Sequence, residues 1–314
     1  TLPLFSPAFA DETNIPPVPP TPDTIIYPEY GSGDGEKYFK WENTDTGLQL
    51  TETVKENAQI TAKYDTSTEH THINNVDTDN SSMNITGGSF VNLTTGSTSG
   101  SRYGGAIYNR GSLAKLGDIS ADFVGNYVSD NNYPEGGAIY NYRSTIGNIT
   151  GDFIGNYAVS EFGGTNGGAI YNDSTSTIGS ITGNFIGNYA ISDRSSAAGG
   201  AIYNGSGSTI GDITGDFIGN YVSASVPASA SASGGTSAKG GAIYNYYNST
   251  IGNITGDFIG NYASVSVSAS GGTYADGGAI YNLGAAIGDI TGDFIGNYAV
   301  SDSNSASGGA SSNF

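Results

Sequence analysis

Short runs of Ile, Phe, Tyr and Thr alternate along this chain with Gly, Asn and Asp, and one such pattern recurs six times. Each repeat holds three segments: Gly-Gly-Ala-Ile-Tyr-Asn, then Ser-Thr-Ile-Gly-Asn/Asp-Ile-Thr with variations, then Asp-Phe-Ile-Gly-Asn-Tyr-Ala. Segments of this length and composition, bounded by turn formers, are typical of short strands. No stretch shows the sustained apolar spacing of a helix. The pattern therefore predicts an all-β protein.

The spacing of the repeats predicts how the strands are arranged. The Gly-Gly pairs begin 32, 31, 32, 41 and 37 residues apart, which is the period of stacked repeat architectures. One repeat alone buries too little apolar surface to offset the entropy lost on ordering it, so the repeats must stack. The sequence predicts a right-handed parallel β-helix, a solenoid of about six full coils of three short strands each, with an atypical N-terminal cap.

Stacking places identical residues above one another, about 4.8 Å apart. The repeat opens at Gly104 and Gly105, and Ile107 and its copies are expected to form one interior column. A second interior column is predicted for Phe123, Phe153, Phe185, Phe217, Phe258 and Phe294. The asparagines are predicted at corners, where an amide can bond the copy above and a left-handed turn is tolerated. They are Asn109 with its copies, and Asn126, Asn156, Asn188, Asn220, Asn261 and Asn297.

The chain divides into four parts. Residues 1–10 resemble the end of a secretory signal peptide, with Ala8 and Ala10 in an A-x-A cleavage pattern. Residues 11–22 form a Pro-rich linker. Residues 23–95 are predicted to form a cap and a degenerate first coil, and residues 96–314 the β-helix repeats, of which the seventh is truncated.

Composition limits the classes of partner and cofactor that the chain is expected to bind. The net charge is -19 with only ten Lys and Arg, and these lie singly, so nucleic acid is not an expected partner. Cysteine is absent, which removes disulfides and thiolate metal sites. No cofactor is expected.

Aspartate also repeats, at positions 122, 152, 216, 257 and 293. These residues are either solvated turn formers or a column of calcium ligands, since carboxylates are the ligands calcium prefers. The calcium candidates are Asp152, Asp216 and Asp257. The nine-residue calcium-binding repeat of other β-helices is not present.

Catalytic residues are not expected. An acid pair or a base with cations would break the repeat, whereas here most acids follow it. Glu135 and Glu161 are the glutamates after residue 69, and both are predicted to be solvated loop residues. His70 and His72 share one face of an extended segment and are predicted to be surface residues of the cap.

Loop length varies between each Asn-Tyr and the next Gly-Gly, where the chain inserts 8, 9, 9, 18, 14 and 9 residues. All length variation is therefore predicted at one corner of the solenoid, and in solenoids such a corner is often the binding side. The long, Ser/Ala-rich insertions are either flexible spacers or a projecting β-arm. The candidate partner contacts in them are Val226, Lys239, Val267 and Tyr274.

The paired motifs resemble a known family. Gly104-Gly-Ala-Ile107 with Phe123-Val-Gly-Asn126, and the five later copies, are similar to the GGAI and FxxN repeats of the chlamydial polymorphic outer membrane proteins and related autotransporter passengers. The resemblance covers roughly residues 84–310. It implies a β-helical passenger and surface adhesin, carried outward by a C-terminal outer-membrane β-barrel that would follow downstream.

The expected function is thus a non-enzymatic adhesin or binding scaffold, secreted to the surface of a Gram-negative-type bacterium and associated with its outer membrane. The expected partner is a protein or glycan on a host or neighbouring cell. Two alternatives remain open: a β-helical polysaccharide lyase or hydrolase, and a self-associating surface-layer or biofilm protein.

Overall fold

All regular structure in the described part of the chain is β-strand. The computed structural model describes residues 41–44, 47–50, 58–60, 73–77, 79–81, 83–94, 103–226, 236–267, 273–302 and 305–313. The proposed signal remnant, the Pro-rich linker, His70 and His72 lie outside these residues.

The strands form five sheets that run along the solenoid. Sheet 1 carries the Ile-Tyr-Asn segments: Trp41–Thr44, Gly47–Leu50, Ile73–Val76, Ile107–Arg110, Ile139–Tyr142, Ile170–Asp173, Ile202–Asn204, Ile243–Tyr246, Ile280–Leu283 and Ser311–Asn313. Sheet 2 carries the Thr-Ile segments: Asp79–Asn80, Lys115–Leu116, Thr145–Ile146, Thr177–Ile178, Thr209–Ile210, Thr250–Ile251 and Ala286–Ile287.

Sheet 3 carries both the Ile-Thr and the Phe-Ile segments: Ala58–Ile60, Met83–Val91, Ile119–Val124, Ile149–Thr150, Phe153–Ile154, Ile181–Thr182, Phe185–Ile186, Ile213–Thr214, Phe217–Ile218, Ile254–Thr255, Phe258–Ile259, Ile290–Thr291 and Phe294–Ile295. Sheet 4 comprises Tyr127–Ser129, Tyr157–Ser160, Tyr189–Ser192, Tyr221–Val226, Tyr262–Val267 and Tyr298–Ser301. Sheet 5 comprises Thr165–Asn166, Ala197–Ala198, Thr236–Lys239, Thr273–Asp276 and Ser305–Ser307.

Strands of successive coils pair in parallel, and equivalent residues of the repeat stand opposite each other. Ile139 pairs with Ile107 on one side and with Ile170 on the other, and Phe153 pairs in the same way with Phe123 and Phe185. The predicted all-β parallel β-helix of about six coils is therefore confirmed.

Each coil is divided more finely than the three predicted segments. The second segment breaks at Gly147-Asn148 and the third at Gly155-Asn156, so each gives two short strands. Gly155 has a φ of 61°, a left-handed conformation that ends a strand. The loop before each Gly-Gly adds a strand of sheet 5 from the second full coil onward.

The interior columns form as predicted. Ile107, Phe123 and their copies through the fifth full coil are fully buried, and stacked phenylalanine rings lie 4.7–4.8 Å apart. In the sixth full coil, Phe294 is 37% exposed and Ile290 38% exposed, because only one neighbouring coil covers most of that coil. Identical rings in register thus supply a continuous core.

The asparagines also form continuous columns. In the first column each amide nitrogen donates to the amide oxygen of the next coil, as from Asn109 to Asn141 at 2.8 Å. The predicted bond to the copy above is confirmed in both columns. The predicted left-handed turn is not at asparagine: Gly155, which precedes Asn156, takes the positive φ. Asn156 itself is fully buried.

Residues before the first full repeat continue the stack. Ile73, Ile85 and Phe90 pair with Ile107, Ile119 and Phe123, so residues 73–94 form the degenerate coil that the sequence predicts. The register shifts between Thr86 and Ser89, since this coil has one residue more between its Ile and Phe. The strand Gly47–Leu50 extends sheet 1 by pairing in parallel with Ile73–Val76, and Trp41–Thr44 pairs antiparallel with it at the end of the sheet.

Substitution of two glycines in one coil is expected to lower the free energy of unfolding by different amounts. A Cβ at Gly168 would overlap the carbonyl oxygens of Gly200 and Tyr189, whereas a Cβ at Gly187 would meet nothing within 4 Å. Gly187 has a φ of 61°. We expect Gly187→Ala to lower the free energy of unfolding by about 1 kcal/mol through backbone strain, and Gly168→Ala to lower it by about 3 kcal/mol or more through overpacking. Urea denaturation measures both, and equal costs would contradict the assignment of close backbone packing at Gly168.

Candidate functional site

The repeated aspartates point outward on sheet 3, and each is engaged with the neighbouring coil. The Oδ1 atom of Asp152 accepts the backbone N–H of Asn184 at 2.7 Å, and that of Asp216 accepts the N–H of Asp257 at 2.8 Å. Asp257 repeats the contact with Asp293. Within the residues that the structure describes, no three acids or histidines gather as a metal site would require. The calcium column stays a prediction, and the geometry gives these acids a structural role.

The two long insertions extend the stack beyond the regular coils. Strands Tyr221–Val226 and Tyr262–Val267 pair in register, as do Thr236–Lys239 and Thr273–Asp276. Small side chains between them form a second apolar cluster, which includes Val222, Val265 and several alanines. The described flanks of the insertions therefore form paired strands, as a β-arm would require, and a binding role for them stays a prediction. Residues 227–235 and 268–272 lie outside the described residues.

The predicted contacts in these insertions have different environments. Val226 is only 2% exposed, so its prediction as a partner contact is wrong: its strand turns it toward the interior of the arm. Tyr274 is 47% exposed and remains available to a partner. The Lys239 ammonium lies 5.0 Å from the centre of the Tyr281 ring. Val267 ends its strand, and its side chain lies outside the described set.

The corner between sheets 4 and 5, here called the loop corner, presents a non-repeating cluster in earlier coils. It includes residues 130–134, 161–164 and 193–196. Tyr133 and Phe162 are 58% and 48% exposed. The Arg194 guanidinium lies 4.5 Å from the Phe162 ring centre and 3.4 Å from a carboxylate oxygen of Glu161. This cluster combines apolar, cationic and anionic groups on one accessible edge.

Repeated tyrosines form two outward columns whose ring faces are occupied by each other. Tyr157 and Tyr189 stack at 4.8 Å with planes 1° apart, and Tyr140 and Tyr171 at 5.2 Å with planes 5° apart. Burial raises the pKa of Tyr157 to about 12, so the stacked phenols stay neutral. A ligand cannot stack on the covered faces, which makes the irregular aromatic residues the better contact points.

The corner between sheets 1 and 2, here called the first corner, also varies in length, contrary to the prediction that all variation falls at one corner. It consists of residues 111–114, 143–144, 174–176, 205–208, 247–249 and 284–285. The sequence pattern gives little sign of this variation because the turns differ by only a few residues. Left-handed backbone concentrates there: apart from Asn92, every described non-glycine residue with a positive φ lies at this corner or at the matching turn of the preceding coil. They are Asp77, Arg143, Ser174, Thr175, Ser206, Tyr247 and Asn248.

Glu135 is not the solvated loop residue that the sequence predicts. It bridges Tyr103 and Asn166 in the ladder of sheet 5, is half-buried, and accepts a hydrogen bond from the Asn166 amide at 3.1 Å. Burial raises the pKa of Glu135 to about 7, and the nearby Asp173 carboxylate adds to the rise. Glu161, by contrast, is exposed as predicted.

One tyrosine hydroxyl connects Glu135 with Asp173. Tyr171 donates to Oδ2 of Asp173 at 3.0 Å, and its hydroxyl also acts on Glu135, lowering the pKa of that carboxyl against the larger effect of burial. A hydroxyl carries one proton, so Tyr171 can donate to the Asp173 carboxylate or to the Glu135 carboxylate, but not to both at once. The buried Oδ1 of Asp173 has no hydrogen-bond partner. Glu135, Tyr171 and Asp173 thus influence one another, and they are called the proton-sharing cluster below.

The cations of the described part mostly lie on aromatic rings. Arg110 and Arg143 place their guanidinium carbons 5.8 and 5.5 Å from the centre of one ring, that of Tyr142. Lys115 instead pairs with Asp79 at 2.7 Å. The sequence shows these cations only as single, scattered residues. Arg110 and Arg143 are 33 positions apart, about one repeat, and that offset is the signal that places them side by side.

Comparisons with known proteins add no relative: no family model matches the chain, and no curated protein or solved structure gives a significant match. The class that the fold defines is the parallel β-solenoid. Among the described residues, none forms a helix that could cross a membrane.

Proposed function

We propose that this chain is an extracellular binding scaffold, an adhesin of the autotransporter-passenger type. One observation carries the proposal: the core and most outward positions of the sheets repeat from coil to coil, while several exposed, non-repeating aromatic side chains lie at two corners. Tyr133 and Phe162 mark the loop corner, and Tyr247, 54% exposed, marks the first corner. Exposed aromatic residues with adjacent arginine are typical of recognition surfaces.

The resemblance of the paired motifs to autotransporter passengers supports the location of this function. Under the proposal the solenoid lies at a bacterial surface, and a β-barrel translocator is encoded downstream. A stack of coils that pair with their neighbours can also form progressively from one end as the chain emerges from a pore. Gene sequence on both sides of this region tests the location directly: a cytoplasmic start with no export or anchoring module would contradict it.

Binding can be tested with the purified, fluorescently labelled chain on bacterial and animal cells by flow cytometry. We expect saturable binding that falls at least about tenfold, or about 1.4 kcal/mol, in the double variant Tyr133→Ser/Phe162→Ser. The control is Thr182→Ser/Thr214→Ser, which changes two exposed residues of a repeated sheet face. Equal loss in both variants, or unchanged binding in the first, would contradict a recognition role for the loop corner.

A polysaccharide lyase or hydrolase remains the second candidate because Glu135, whose pKa burial raises to about 7, lies near a second carboxylate, that of Asp173. The buried Oδ1 of Asp173 argues against direct attack on a substrate. Incubation with pectin, alginate and host glycans tests this candidate, and new reducing or unsaturated ends that disappear in Glu135→Gln would establish it over the adhesin. Self-association into a surface layer is a further alternative, which size measurements over a range of concentrations would reveal.

A further inference from the structure

We propose that the first corner, together with the adjoining ends of the sheet 1 strands, binds an acidic peptide segment of a partner protein, with Arg110 and Arg143 as the two groups that receive its carboxylates. The site lies away from the loop corner and goes beyond the adhesin proposal. It comprises Val76, Arg110, Leu113, Tyr142 and Arg143, and it is called the arginine site below.

The two arginines are exposed cations without a carboxylate partner. Arg110 donates to the Tyr108 hydroxyl at 3.0 Å, and neither Arg110 nor Arg143 forms an ion pair with a described acid. The other described arginine, Arg194, has its partner in Glu161. In a chain of 29 acids and ten bases, two adjacent guanidinium groups that form no ion pair with a described acid are unusual. Guanidinium groups bind carboxylates through two parallel hydrogen bonds, and these arginines retain that capacity.

Nearby acids are present but are engaged elsewhere or set apart. Asp173 stands beside Tyr142 in sheet 1, and its Oδ2 accepts from Tyr171 and from Ser174. Asp77 places its carboxylate against Gly111, next to Arg110, without an ion pair. Asp79 pairs with Lys115. These charges lower the local positive potential, so a short ligand with a few carboxylates fits better than a long polyanion, which the net charge of -19 would repel.

Apolar side chains flank the two arginines. Leu113 is 63% exposed and Val76 49% exposed, and Val76 stands directly opposite Arg110 in sheet 1. Tyr142, half-buried between the guanidinium groups, adds an aromatic edge. An inorganic anion or a phosphate would satisfy the arginines but leave Leu113 exposed to water. A peptide with acidic and aliphatic side chains would cover both parts of the site.

The backbone of the corner fixes the arrangement. Arg143 has a φ of 54°, a left-handed conformation that is strained for a residue other than glycine. Its N–H donates to the carbonyl oxygen of Asp173 at 3.3 Å, so the coil above holds the turn in place. Arg143 therefore projects from a short, hydrogen-bonded turn beside Tyr142.

A peptide array tests the proposal with the full chain. The probes are peptides in which Asp/Glu content and aliphatic content vary independently, together with lysine-rich and glutamine-rich counterparts. We expect the labelled chain to select peptides that carry both acidic and aliphatic residues. A selection without preference for Asp and Glu, or no selection at all, would overturn the proposal.

The best peptide then serves for fluorescence anisotropy. Arg110→Gln/Arg143→Gln is expected to weaken its affinity at least tenfold, Leu113→Ser several-fold, and Arg194→Gln, the matched arginine at the loop corner, less than twofold. Circular dichroism and the thermal midpoint check that the variants fold. Unchanged affinity in the double variant overturns the site. Full displacement of the peptide by inorganic phosphate or by a sulfated oligosaccharide would show a general anion site instead, and would also overturn it. The assay needs no cell surface, so failure of the adhesin proposal would leave its result unaffected.

Discussion

Asn188→Asp is expected to destabilise the solenoid by about 3 kcal/mol or more at neutral pH. Asn188 is fully buried, and its amide nitrogen donates to the carbonyl oxygen of Phe153 at 2.8 Å and to Oδ1 of Asn220 at 2.9 Å. An aspartate has the same shape but would present a carboxylate oxygen to both acceptors. Burying an unpaired charge, or raising its pKa until it becomes protonated, costs several kcal/mol. Urea denaturation at two pH values measures the loss, which should shrink at acidic pH.

The chain provides a matched control for this substitution. Asn148 is exposed, its Oδ1 accepts the backbone N–H of Ser180 at 2.9 Å, and other coils carry aspartate at the same position, as at Asp118 and Asp212. Asn148→Asp keeps the acceptor and is expected to change the free energy of unfolding by less than about 0.5 kcal/mol. A similar loss in both variants would show that the buried amide column is not specific for asparagine.

Glu135→Gln is expected to stabilise the protein above pH 7 and to remove part of its pH dependence. The folded protein holds a proton on Glu135 up to about pH 7, whereas an unfolded chain releases it near the ordinary pKa of 4.5. The folded state therefore binds more protons between these values, and stability falls as the pH rises through this range. The pKa difference corresponds to up to about 3 kcal/mol, fully expressed above pH 7 and absent below 4.5.

Thermal and urea unfolding between pH 5 and 8 measure this effect. Glutamine retains an acceptor for Asn166 and can donate to Tyr171, so the variant should follow a flatter stability curve. Titration of Asp79 does not contribute in this pH range, because the hydrogen bond from Lys115 lowers the pKa of Asp79 to about 2. Glu161→Gln, at the exposed glutamate of the next coil, is the control and should leave the slope unchanged. An unaltered slope in Glu135→Gln would exclude the proton-sharing cluster.

Repetition explains why so much of the fold could be predicted. A residue such as Phe185 has its own copies, Phe153 and Phe217, as neighbours once the chain stacks in register. The period alone therefore indicates the contacts of every repeated position. The same reasoning predicts the asparagine columns.

The division of each coil into more than three strands is harder to predict from the sequence. The sequence shows Gly155 and Gly147 inside apparently continuous strands, and glycine permits several backbone conformations. Which of them breaks the strand depends on the path that closes the coil around its core. For the same reason the sequence predicts a left-handed turn at the corner asparagines, whereas in the structure the preceding glycine, such as Gly155, adopts it.

The contacts of non-repeating residues cannot be predicted from the sequence pattern. Arg110, Arg143 and Glu135 have no copies, so their neighbours depend on turn conformation and on the coil above. The sequence by itself determined the all-β solenoid and its interior columns, since identical residues in register supply their own packing partners. Only the tertiary structure decided that Glu135 is half-buried against Tyr171, that Val226 faces inward and that two distant arginines meet at Tyr142. Those contacts join different residues across coils, and their geometry comes from the folded chain as a whole.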